Sequence, residues 1–374
     1  MKIGLIIYGS LDTLSGGYLY DRKLVDYLRA QGDEVEIISQ PWSAYGWRLG
    51  QNFSCAMLRR LREAQFDVLL QDELNHPSLV WLNGYLGKLG TSRPYPIISI
   101  VHHLRSSEAH PRGLMPIYQQ VERKYLRSVA GFVYNSQTTK REVERMTGCA
   151  KPHVVATPAG DRFQPEISAD EIVARGQEPG ALRILFVGNV IARKGLHDLI
   201  AALAQLPKLD WRLEVVGGTA VSPPYTRRIQ TQIAQAGLSE RITLHGALSD
   251  DELAQFYRHS HLLAVPSQYE GFGIVYLEGM GFGLPAIGTT SGAAGEIIQD
   301  GENGVLLGVG ETATSARSVQ AVLSQRLQHL HQNRDELTRL SLNARQSYLT
   351  WPTWDDSMAK IRAFLEKSVA DLEK

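Results

Sequence analysis

Cysteine is scarce in this sequence: two residues, Cys55 and Cys149, in a chain of 374. Two thiols build no disulfide framework, and their separation is not that of a metal-ligand pair. A disulfide-stapled fold and a cysteine zinc site are both excluded. The usage fits a reducing compartment, so a cytoplasmic location is expected. Net charge is also missing, with 39 basic against 39 acidic residues. That balance argues against a polybasic nucleic-acid binder. No stretch nears the roughly 18 consecutive apolar residues of a membrane span. Met1 to Tyr8 is apolar but stops at Gly9, too short for a signal-peptide core. There is no low-complexity segment and no obvious residue repeat. The G-x4-G-K-[ST] phosphate loop is absent as well, because five residues separate Gly188 from Lys194.

What is present is ordinary for a globular protein: 43% hydrophobic and 21% charged residues. At about 150 residues per domain, the length predicts two domains. The first half alternates short apolar runs with helical patterns. Strands are predicted over 3–7, 35–38, 68–71, 97–101, 131–134 and 153–156, with helices between, including 53–64 and 78–89. The consecutive apolar residues Leu5, Ile6 and Ile7 are typical of a parallel strand covered on both faces. The pattern lapses around Pro165, Gly176, Pro179 and Gly180, with room for a short helix at Ile172 and Val173, and a second αβ series begins at residue 184. This predicts an N-terminal domain over 1–165, a linker over 166–181, a C-terminal domain over 182–350 and a closing helical segment over 351–374. The fold class is α/β, two doubly wound Rossmann-like domains facing an interdomain cleft. In such sheets ligands bind beyond the carboxyl ends of the strands, and that is where chemistry is sought.

The most informative segment runs from Pro266 to Glu278, after a predicted strand and into a helix. Gly271 and Gly273 let backbone approach a ligand, and the amides opening a helix favour a phosphate. Glu270 and Glu278 each offer a carboxylate able to accept from a pair of hydroxyls. Taken alone, Glu278 is an ordinary helical acid; the whole segment is harder to dismiss. It resembles the E-x7-E signature of glycosyltransferase family 4 (glycosyl transferases group 1), retaining enzymes of the GT-B fold. The Phe186–Gly195 stretch and the Gly279–Pro285 and Gly292–Gly301 segments resemble that family's C-terminal domain too.

The resemblance implies roles. Glu270 would contact the transferred sugar, and Glu278 the ribose. Backbone from Gly271 through Phe272 and Gly273 to Ile274 would line the sugar and diphosphate. Lys194 occupies the position of the lysine that binds the diphosphate. Asn189 replaces the arginine that commonly follows the glycine. Arg193 either supplies the missing positive charge or is an exposed residue at a helix start. In the N-terminal half, Gly16 and Gly17 resemble the family's glycine-rich loop. His102, or its neighbour His103, follows a strand where relatives keep a histidine near the donor sugar; His102 is preferred because it comes first. Further ligands that would make a metal site with it are not evident. The metal-binding D-x-D of the other main glycosyltransferase architecture is absent, and no obligatory metal or cofactor is expected.

The implied function is retaining transfer of a hexose from a nucleotide diphosphate sugar, UDP first and GDP second, to a carbohydrate or lipid-linked hydroxyl. Cell-surface or exopolysaccharide synthesis is the expected context. A nucleotide-sugar epimerase of the same architecture and a non-catalytic nucleotide-sugar-binding protein are the alternatives. Trp42, Tyr45 and Trp47, expected in a loop, are candidates for sugar stacking, lipid contact or plain partial burial. Weak peripheral contact with the inner membrane face is a further expectation. The mixed charges of Glu122, Arg123, Lys124 and Arg127, and of Lys140, Arg141, Glu142, Glu144 and Arg145, read as solvated helix faces.

Overall fold

The computed structural model describes residues 1–13, 15–88, 95–108, 113–308 and 318–372. These divide into two compact units, Met1–Pro158 with Trp354–Lys374, and Ala159–Thr353. The first unit holds strands β1 (Lys2–Tyr8), β2 (Glu34–Gln40), β3 (Val68–Asp72), β4 (Ile97–Val101), β5 (Gly131–Tyr134) and β6 (His153–Val155). The second holds β7 (Leu182–Val187), β8 (Trp211–Val216), β9 (Ile242–Gly246), β10 (Leu262–Ala264), β11 (Ala286–Thr289) and β12 (Gly304–Leu307). Both sheets are parallel, in the orders β2-β1-β3-β4-β5-β6 and β12-β11-β10-β7-β8-β9.

Continuous apolar strands force this arrangement. Leu5 of β1 sits opposite Ile37 of β2 and Leu70 of β3. Ile3, Leu5, Ile6 and Ile7 are all fully buried. Each such side chain contributes about 1.5–3 kcal/mol when taken from water, so leaving either face of the sheet uncovered is costly. Helices supply both covers, as the doubly wound reading expects.

The unit boundaries differ from the sequence reading, which placed them at 165/166 and 350/351. The expected linker contains a helix, Ala169–Gln177, belonging to the second unit. Ser168 and Glu171 form a capping box at its start. Ile172 is fully buried, and the Arg175 guanidinium donates to the carbonyls of Arg258, Phe282 and Gly283. Gly176 lies inside this helix because a Cβ there would collide with the Thr338 hydroxyl. Its presence marks a close helix–helix approach rather than a break.

Other expectations shift too. Tyr45 and Trp47 lie on a short helix, Tyr45–Gln51, rather than in a loop. The helix expected over 53–64 spans Cys55–Glu63, where Ser54 accepts the Met57 amide. The helix expected over 78–89 is two helices, His76–Leu79 and Leu82–Lys88, and its predicted end at residue 89 lies outside the described residues. The closing helix, Trp354–Ala370, packs in the first unit. There Arg362 pairs with Asp33 at 2.8 Å, and the Ser357 hydroxyl donates to the Thr157 carbonyl. No described helix is long and apolar enough to cross a membrane.

Candidate functional site

In the second sheet β7 neighbours both β8 and β10, so the chain order reverses between β7 and β10. Ligands of open parallel sheets bind at such a point. The segments leaving these two strands are clamped together. The Gln268 amide donates to the Arg193 carbonyl, and the Arg193 guanidinium donates to the Tyr269 carbonyl, both at 2.8 Å. Gly195, at φ +73°, permits the approach, since a Cβ there would strike the Pro266 carbonyl.

The clamp brings Lys194 to Glu270. Lys194 Nζ donates to Glu270 Oε2 at 2.6 Å, and the Ser267 hydroxyl donates to the same oxygen at 3.0 Å. Glu270 is buried. Burial pushes its carboxyl up, but Lys194 and then Arg193 outweigh that and hold it below its ordinary value. The result is a carboxylate that stays ionised beside a lysine that is itself largely buried.

The helix Ile274–Gly281 begins immediately afterwards. Gly273 caps it in the left-handed region, at φ +100°, and no side chain accepts from the first amides. Those amides carry positive partial charge and suit an anion. Gly271 and the buried Phe272 lie between this cap and Glu270. About one turn along, Glu278 is buried rather than solvated. Its Oε1 lies 3.2 Å from Arg162 Nε, and its Oε2 accepts from the Tyr257 hydroxyl at 2.9 Å. Burial raises the Glu278 carboxyl, and Arg162 opposes that rise.

The structure thus gathers Arg193, Lys194, Glu270 and the 271–274 backbone beyond the ends of β7 and β10, with Glu278 further along the helix that follows. Asn189 is different. Its side-chain carbonyl accepts the Gly218 amide at 3.2 Å, tying the turn after β7 to the turn after β8. Arg162 and Tyr257 were not singled out from the sequence. Arg162 follows Asp161 in a turn, and nothing local marks it as the partner of a glutamate 116 positions later.

The first unit has its own group at the carboxyl ends of β1, β3 and β4. Gly16 and Gly17 are not a loop: they open the helix Gly16–Ala30, with Ser15 as its N-cap. The His102 ring lies against Gly17, where a Cβ would come within 3.2 Å of it. His102 Nε2 lies 3.1 Å from Oδ1 of the fully buried Asp21, one turn further along the same helix. Burial lowers the imidazole's proton affinity, but Asp21 reverses this and the His102 pKa is pushed up to about 9. His103 turns instead to Glu108, at 3.2 Å. Sequence reasoning found no further ligands beside His102, yet polar atoms of Asp21, Asp72 and His102 lie within 4.8 Å of one another. Asp72 is driven well above the ordinary carboxyl range by burial and by Asp21. Glu122, read as part of a solvated face, is fully buried and accepts the amides of Arg105 and Ser106.

Comparison with known proteins follows this division. Residues 169–346 match the family model "Glycosyl transferases group 1", and residues 20–160 match "Glycosyltransferase Family 4". A D-inositol 3-phosphate glycosyltransferase of Nocardia farcinica is 28% identical over 71% of this chain and 60% of its own length. The enzyme of the same name from Geodermatophilus obscurus is 29% identical over 73% and 64%. The chain therefore spans about three fifths of the length of these curated relatives. Among solved structures, sucrose-phosphate synthase from Thermosynechococcus elongatus superposes with a TM-score of 0.81, at 19% identity and 99% coverage of both chains. Anabaena Alr3699/HepE, solved with UDP and glucose, gives 0.73 at 18% identity, over 98% of this chain and all of the other. At these identities the likeness establishes the fold, which is GT-B.

Proposed function

The chain belongs to the glycosyltransferases of group 1 and family 4, and from that membership we propose that it moves a hexose from a nucleotide diphosphate sugar to a hydroxyl acceptor. The observation that carries this reading is the buried Lys194–Glu270 pair beside the glycine-capped start of the helix Ile274–Gly281. It offers a cation and oriented amides for a diphosphate, and a neutralised carboxylate for sugar hydroxyls. Glu278, held by Arg162 and Tyr257, is the ribose ligand in this reading. Arg193 adds positive charge beside Glu270, in place of the arginine missing at Asn189.

As the glycosidic bond breaks, the leaving diphosphate gains negative charge. Lys194 and the helix-start amides stabilise it, and no bound metal is required for that step. Glu270 is tied to Lys194 and Ser267, which suits it to holding the sugar rather than attacking it. Substitution therefore proceeds on the same face, with retention, the departing phosphate helping to take the acceptor proton. His102, kept protonated by Asp21, is a hydrogen-bond donor to substrate in this scheme. UDP is the first-choice nucleotide, supported by the UDP complexes among the structural neighbours, and GDP the second. The acceptor is a carbohydrate or lipid-linked hydroxyl of cell-surface glycan synthesis. Weak contact with the inner membrane face has support in the exposed Trp47 and Phe53 and in Lys124, which lies over the Trp81 ring on which Phe53 stacks.

Acceptor-dependent release of nucleoside diphosphate tests transfer. Retention of anomeric configuration in the product, read by NMR, is the expected stereochemistry, and inversion overturns the same-face scheme. Isotope exchange without any acceptor would favour an epimerase. Nucleotide binding with no turnover on any acceptor would favour a sensor.

A further inference from the structure

A second cluster of buried ligating groups lies in the first unit, and the transfer reading leaves it without a task. Glu73 and His76 stand three positions apart on consecutive short helices, Glu73–Asn75 and His76–Leu79, immediately after β3. Glu122 comes from the helix Met115–Ser128. One polar atom from each of Glu73, His76 and Glu122 lies within 4.8 Å of the others, and all three residues are at most 1% exposed.

We propose that Glu73, His76 and Glu122 bind a divalent transition cation, Zn2+ or Mn2+ in chemical class, as a structural site. The spacing is that of a Glu-x-x-His pair with a third carboxylate from a second helix, a donor set of one imidazole nitrogen and carboxylate oxygens suited to such ions. Two details point to a ligand rather than to a packed acidic core. Glu73 Oε1 has no hydrogen-bond partner although it is buried. His76 Nδ1 donates to the Glu73 carbonyl at 3.0 Å and lies 2.9 Å from that same oxygen, so a cation held here would take the place of the ring proton. The outer ring nitrogen, Nε2, lies 3.1 Å from the Tyr45 hydroxyl, the kind of second contact that fixes a metal-bound imidazole. Arg105 also faces the cluster, its guanidinium over the rings of Tyr45 and Tyr118, and its positive charge partly offsets the carboxylates.

The ion would act on position rather than on chemistry. Glu122 already holds the Arg105 and Ser106 amides, which follow His102 and His103 out of β4. Glu73 follows Asp72 out of β3. A cation joining them ties together the two segments that carry Asp72 and His102.

The test uses the full chain, stripped with chelator and titrated with Zn2+ and Mn2+. It is read by elemental analysis, melting temperature and, after loading with Co2+, visible absorption. The expected result is a single ion per chain, a rise in melting temperature, and d–d bands of mixed nitrogen and oxygen coordination. Glu73→Gln and Glu122→Gln should each weaken binding by about ten-fold or more, and Asp21→Asn should leave it unchanged. The proposal is overturned if the wild-type chain binds no ion, if both glutamine variants bind as tightly as wild type, or if Asp21→Asn abolishes binding. Should a glutamine variant fail to fold, the Co2+ spectrum of the wild type decides, and its absence overturns the site. Nucleotide titration of the same samples reports on the second unit separately.

Discussion

The two units place acids at equivalent positions, beyond the carboxyl ends of parallel strands, and treat them in opposite ways. In the second unit each buried glutamate has its own cation: Lys194 for Glu270 and Arg162 for Glu278. In the first unit Asp21, Asp72, Glu73 and Glu122 crowd around two histidines, and one oxygen each of Asp21 and Glu73 lacks a hydrogen-bond partner. The first arrangement keeps carboxylates ionised. The second raises Asp72, and brings both Glu73 and Glu122 up to about 7, chiefly through burial. Shared topology thus fixes where polar groups gather and leaves their charge state to the neighbours each sequence segment supplies.

The largest effect should come from breaking the neutralised site. Lys194→Ala removes the proposed leaving-group cation, and turnover should fall about 100- to 1,000-fold, as when one transition-state donor is deleted. Steady-state kinetics against circular dichroism separates this from unfolding. Turnover at the wild-type rate would remove Lys194 from the chemistry. Arg162→Met probes the other pair. It leaves Glu278 buried with Tyr257 alone, so stability should drop by roughly 3 kcal/mol, by analogy with other broken buried pairs. Adding Glu278→Gln should recover part of that loss in urea denaturation.

The acid-rich site should show itself through pH. His102 is raised to about 9 from 6.5, so its contribution to stability is complete below about pH 6.5 and is lost as pH rises through 9. A melting curve series from pH 6.5 to 9.5 should fall, by an amount on the order of 3 kcal/mol. In Asp21→Asn the slope should flatten; an unchanged slope would show that Asp21 does not hold the proton on His102. A smaller effect is expected at the misread linker. Gly176→Ala forces the helix away from Thr338, at a cost of about 1–3 kcal/mol. Smallest of all, Trp47→Ser should change stability by less than about 0.5 kcal/mol, because Trp47 is 79% exposed. Reduced cosedimentation with anionic vesicles in that variant would support the membrane contact, and equal cosedimentation would argue against it.

The neutralised site was legible because its chemistry is local in sequence. Glu270, Gly271, Gly273 and Glu278 sit on one strand–loop–helix passage, and Lys194 on another of the same kind. The acid-rich site was not. Its members come from four separated elements, and Glu122 stands in a run of mixed charges that predicts a solvated face. Its carboxylate is held inside by the amides of Arg105 and Ser106, from a segment distant in sequence. Gly176 misled for a related reason: a glycine needed for helix packing is indistinguishable in sequence from one that ends a helix. The preference for His102 over His103 rested on position alone, and the structure adds a reason, since only His102 meets Gly17 and Asp21.

Whether the Lys194–Glu270 site holds the diphosphate of a nucleotide sugar is decided by calorimetric titration. UDP, GDP, ADP and dTDP, with their common sugars, would be titrated into the wild-type chain and into a Lys194→Met/Glu270→Gln variant. That variant removes both charges of the pair while leaving its bulk in place. One preferred nucleotide is expected for the wild type, with binding at least about ten-fold weaker in the variant, a loss of about 1.4 kcal/mol or more. Equal affinity in both chains would remove the pair from diphosphate binding.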